Sequence, residues 1–146
     1  MSSYMKFYGV PRDRSKESGD GKVENKDAKP VNIITFSRND DVYRYFDENC
    51  NIPYCYDKTT YRDITSDDID RVVCDIRGDI SSTEKRIAEY SKYADKNEQY
   101  VLEIISSRDY LEELQKTLHY VEFIGLIVAE AEDKYCGDFT KIVANI

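Results

Sequence analysis

At 146 residues, with 40% hydrophobic and 34% charged residues, the chain is long enough for one domain with a buried core and too apolar for wholesale disorder. Its formal net charge of −8 is the opposite of the basic balance with which nucleic-acid binders neutralise phosphates. No amino-terminal stretch has the basic, apolar and small-residue succession of a signal peptide, and no apolar run approaches the ~20 residues that span a bilayer, so a cytoplasmic protein without membrane contact is expected.

Residues 4–10 alternate, with Tyr4, Lys6, Tyr8 and Val10 on one face and Met5, Phe7 and Gly9 on the other, which predicts an edge or half-buried strand. The segment 11–30 is nearly devoid of apolar residues and rich in charges of both signs, so it has little surface to bury and predicts a long mobile loop. Its bases, among them Arg12, Arg14 and Lys22, are diluted by interspersed acids, which favours a solvated loop over an anion site. Residues 31–36 (VNIITF) form a short, β-branched apolar run that predicts a more central strand. Ser37 followed by Asp40 fits a variant of the capping box and predicts a short helix over 39–48, with Val42, Tyr45 and Phe46 inward. A hairpin strand over 42–46 is the competing reading. From 52 to 64, Tyr54, Tyr56 and Tyr61 lie among turn residues, compatible with one or two short strands.

The pattern then sharpens. Thr65, Ser66, Asp67 and Asp68 supply capping side chains and a negative first turn, which predicts a helix start. Apolar or small positions follow at Ile69, Val73, Ile76, Ile80, Thr83, Ile87, Tyr90 and Ala94, the heptad seam of a coiled coil. After the connector Asp95, Lys96 and Asn97 the spacing resumes at Ile104, Leu111, Leu114, Leu118, Val121, Gly125 and Val128. So short a connector makes the two helices antiparallel neighbours, a hairpin of about 40 Å or more. Residues 120–129 are apolar almost all the way round, which requires burial on more than one side, against the amino-terminal strands or against a second copy of the chain. Gly125 would permit close approach, Gly137 fits a helix-ending glycine, and 139–146 alternates as a strand returning to the sheet. The expected fold is therefore α+β: a small antiparallel sheet of N-terminal strands plus a C-terminal strand, with a long antiparallel two-helix coiled hairpin. It is one domain, with a strand-rich part over 1–64, the hairpin over 65–133 and the returning strand over 134–146.

Charge is unevenly placed along this plan. Residues 97–133 hold nine acids, among them Glu98, Glu103, Asp109, Glu112 and Glu113, against only Arg108 and Lys116. Such a helix repels nucleic acid and attracts basic surfaces, because carboxylates along a rigid face can stand in for a row of phosphates. A solvated face that keeps the protein soluble is the plainer account. The polar tip of the hairpin carries Tyr93 and Tyr100, which suit either a contact surface or the ring packing that closes the turn.

Reaction chemistry finds no motif. The four cysteines, Cys50, Cys55, Cys74 and Cys136, lack the paired spacing of a zinc site, and Cys50 with Cys55 lacks an activating environment for redox work. His119, the only histidine, has no nucleophile signature near it, and no phosphate-binding loop or zincin motif occurs. No catalytic residue, metal or cofactor is expected.

Tyrosine is over-represented at 13 residues while tryptophan is absent, a usage that resembles products of AT-rich genomes, phages included. In size, acidity and compositional bias the chain resembles the small counter-defence proteins of phages, among them anti-CRISPR proteins that occupy nucleic-acid-binding grooves. The resemblance lies in these bulk properties and transfers no residue. The rigid hairpin, its polarised acidic face and the lack of reaction motifs point to a non-enzymatic inhibitor or adaptor that, through Glu98, Glu103, Asp109, Glu112, Glu113, Tyr93 and Tyr100, engages a basic protein such as a nucleic-acid-binding enzyme. The alternative is an oligomeric sponge that sequesters a signalling nucleotide through Arg38, Arg44, Arg62, Tyr54 and Tyr56. A structural subunit of a larger assembly, joined through 120–129, is the third reading.

Overall fold

The helical hairpin expected from the heptad spacing is present. In this computed structural model, which describes residues 3–54 and 60–146, α2 (Ser66–Ser91) and α3 (Glu98–Glu132) pack antiparallel along their length. Cys55 and Tyr56 lie outside the described residues. The start of α2 is fixed as its sequence requires: the Thr65 side chain accepts from the Asp68 N–H at 3.3 Å, and the Asp68 carboxylate accepts from the Thr65 N–H at 2.9 Å. Residues 92–97 make the connecting turn, so Ala94 falls in that turn rather than on the seam. Asn97 opens α3 by accepting from the Gln99 N–H at 2.9 Å.

A four-stranded antiparallel sheet, in the order β2-β1-β4-β3, packs against the base of the hairpin; its strands are β1 (Tyr4–Pro11), β2 (Val31–Ser37), β3 (Arg62–Ile64) and β4 (Phe139–Asn145). The chain is α+β as expected, but the roles of the first two strands are exchanged. β1 is central, paired on both sides, and β2 is the edge. Local apolarity suggested the reverse, but the returning β4 takes the free side of β1. A register shift opposite Phe7 and Tyr8 leaves Ile33 and Ile34 of β2 both half-buried. Met5, Phe7, Phe36, Ile64, Ile142 and Ala144 cover the helices from the inner face of the sheet. Between β2 and β3 the short helix α1 (Asp41–Asn49) wedges Val42, Tyr43, Tyr45 and Phe46 into the same core, which decides against a hairpin strand there. Phe7 meets the rings of Phe36 and Phe46 edge to face, at 6.0 and 5.0 Å between centroids.

The segment expected to be a loose loop is laced to the far end of the chain. Arg12 forms an ion pair with Glu17 and donates through Nη1 to the carbonyls of Tyr135 and Gly137, both at 2.7 Å. Lys22 Nζ donates to the Glu130 carbonyl at 2.8 Å and the Ala131 carbonyl at 3.2 Å, placing a cation on the last carbonyls at the C-terminus of α3. The charges that argued for a solvated loop are thus partly consumed within the fold. The helix-ending role expected of Gly137 also moves: α3 stops at Glu132, and Asp133 Oδ1 accepts from the N–H groups of Tyr135 and Cys136, turning the chain. Gly137, at φ +87°, lies in the connector that follows.

Candidate functional site

The heptad pattern orients α3. Leu114, Val121 and Val128 are buried toward α2, and Thr117, Ile124 and Ala131 extend the buried set toward the sheet and α1. Two of the sides required by the apolar segment 120–129 are therefore covered. Its third side is open: Phe123 is 53% exposed and Leu126 71%. Gly125 does permit the close approach of α2, since a β-carbon there would lie 2.9 Å from Ile69 Cγ2.

All five acids proposed for partner binding lie on α3. Glu98, Asp109, Glu112 and Glu113 are exposed and Glu103 is half-buried. Glu98 sits in the first turn, where it complements the helix dipole. Glu113 has Lys116 at 3.5 Å, and Glu122 has Arg77 at 3.9 Å. Among the described residues no side-chain cation lies within 4 Å of Glu98, Glu103, Asp109 or Glu112. At the tip, the Tyr100 ring lies 5.8 Å from Tyr90 and 5.6 Å from Tyr93, and Lys96 Nζ stands 5.7 Å over Tyr93. The tyrosines close the hairpin against one another while Tyr93 stays exposed.

Among the described residues, the alternative ligand residues do not line one common groove. Arg44 lies over the Tyr45 ring at 4.4 Å and has Asp41 and Glu48 at 3.8 and 3.9 Å. Arg62 lines a groove beside Asp63, Asp67, Asp68 and Arg71, and is held by Asp68 at 3.0 Å. Burial would push the Asp68 carboxyl up, but the bonds from Arg62 and the Thr65 cap outweigh it and hold the group below its usual range. Arg38 and Tyr54 are exposed, and neither lines that groove. Arg44 and Arg62 thus each meet carboxylates of the chain itself, and the groove at Arg62, with three acids against two arginines, offers a phosphate no net positive charge.

A further groove, of about 680 Å³, runs between α2 and α3, lined by Ile69, Val73, Arg77, His119, Phe123 and Leu126 among others. His119 is exposed there. Cys50 is buried, and burial pushes its thiol up, away from the reactive thiolate; Cys74 and Cys136 are exposed. Among the described residues no three His, Cys, Asp or Glu side chains gather as a metal site, and no helix is long and apolar enough to cross a membrane. Comparison with protein-family models, with curated proteins and with solved structures finds no significant match to this chain.

Proposed function

We propose that the chain is a non-enzymatic interaction protein, an inhibitor or adaptor, that presents its acidic hairpin to a basic surface of a partner. The observation that supports this reading is the set of α3 carboxylates, Glu98, Glu103, Asp109 and Glu112, with no side-chain cation within 4 Å among the described residues. Carboxylates without a counter-ion gain most from a partner's lysine and arginine, and a packed helix holds them at fixed spacing without an ordering cost at the moment of binding. The bulk resemblance to phage counter-defence proteins extends the reading to a nucleic-acid-binding enzyme whose basic groove is occupied, acting in the host cytoplasm. An arginine-rich peptide serves as the test probe. It binds the native protein with an affinity that falls steeply with salt, and the Glu98→Lys, Glu103→Lys variant weakens it at least about tenfold. Equal binding by both proteins contradicts the reading.

The nucleotide sponge has less support, because Arg44 and Arg62 each face carboxylates of the chain itself. A structural subunit draws support from the open apolar side of α3 at Phe123 and Leu126.

A further inference from the structure

Outside its packed seam, α3 carries a second stripe with its own heptad spacing, whose end nearer the sheet borders the groove beside α2. Apolar residues occupy both ends, with Leu102 and Ile105 toward the tip (56% and 52% exposed) and Phe123 and Leu126 toward the sheet. Between them stand Asp109, Glu112, Lys116 and His119, so that the steps along the stripe alternate between three and four residues throughout. Every member is exposed. In a coiled coil a stripe at this spacing is the contact face, and its two exposed apolar ends call for a cover.

The order of residues along the stripe says what the cover is. When it is laid against itself antiparallel about the level of position 114, each residue meets a complement: Leu102 meets Leu126 of the second copy, Ile105 meets Phe123, Asp109 meets His119 and Glu112 meets Lys116. Apolar layers fall on apolar layers, and both central carboxylates fall opposite bases. A parallel arrangement would instead stack Asp109 on Asp109 and Glu112 on Glu112, at a like-charge cost. We infer that α3 forms an antiparallel two-fold dimer through this stripe, a four-helix arrangement with the two α2 helices outside. The paired seam is about 36 Å long, its apolar ends supplying the attraction and its charged centre fixing direction and register. The dimer goes beyond the proposed function: it occupies Asp109 and Glu112 and leaves Glu98 and Glu103 to a basic partner.

The experiment is sedimentation equilibrium of the purified full chain over a micromolar concentration range, read beside circular dichroism. The expected mass is twice 17.1 kDa. Glu112→Lys and Lys116→Glu each place like charges across the dyad and weaken the dimer at least about tenfold with helix content intact, whereas the double variant restores it. Leu126→Glu, at a site already open to solvent, also yields folded monomer. A monomer at all concentrations, a dimer indifferent to the single reversals, or a double variant that fails to recover would each overturn the inference. No basic partner is present in this measurement, so its failure is separate from failure of the proposed function.

Discussion

The Tyr45 hydroxyl donates to the Asp79 carboxylate from a ring with no exposure to solvent, tying α1 to the middle of α2. Asn49 Nδ2 repeats the tie at 2.9 Å to Asp75, one turn away on each helix. Burial and then the neighbouring carboxylate push the phenol pKa up, so the group stays protonated and donates throughout the physiological range. Removing the hydroxyl with Tyr45→Phe keeps the packing but strips Asp79 of its donor. A loss of about 1.5–3 kcal/mol in urea unfolding is expected, as for a hydrogen bond to a charged group.

Two glycines lie inside the hairpin helices, and they are expected to respond in opposite directions. Gly78 has open space where a β-carbon would go, so Gly78→Ala gains about 1 kcal/mol of helix propensity and raises the unfolding midpoint. At Gly125 the same propensity gain is set against contact with Ile69 Cγ2 at 2.9 Å, and overpacking of about 1–3 kcal/mol exceeds it. Gly125→Ala should lower the midpoint in the same assay.

Acid sensitivity should trace to the loop that β1 leads into. The Arg12 hydrogen bond, with the Val23 N–H, holds the Glu17 carboxyl at about 2 against its usual 4.5. Because the folded value is the lower one, the contribution of Glu17 to stability is complete above about pH 4.5 and is lost as the pH falls toward 2. Unfolding curves of the native protein and Glu17→Gln should differ by a constant amount near neutrality and converge as acid protonates the carboxylate. A gap that does not change with pH would show that Glu17 acts through shape alone.

Removing the cation at the far end of α3 tests the same lacing. Lys22→Met keeps the stem but takes the ammonium from the Glu130 and Ala131 carbonyls, and should cost about 0.3–1 kcal/mol by thermal unfolding.

The hairpin was legible because each of its signals is local: the Thr65 and Asp68 cap, the heptads, the short connector. The seam of α3 was only partly so. Ser107 and Thr117 read as polar, yet both are buried, and Thr117 meets its own need by donating from Oγ1 to the Glu113 carbonyl at 2.8 Å. Ile124 was overlooked as a seam position because the sheet and α1 add a second buried direction at the base of the helix, which a single heptad frame does not represent. The order of the strands was illegible, since whether β1 or β2 is central depends on β4, more than a hundred residues downstream of either. The acids of the candidate surface could be found by counting charges. Its outward stripe could not, because the apolar run 120–129 gives no sign of which third of it the chain leaves open.

The most direct test of the acidic hairpin as a binding surface is to purify the tagged protein from the cells that make it and record native mass spectra. A basic protein at fixed stoichiometry, present with the native chain and lost with Glu98→Lys, Glu103→Lys, is the predicted result. A chain that emerges without a protein partner, or with a few hundred daltons of small molecule on each copy, would contradict it.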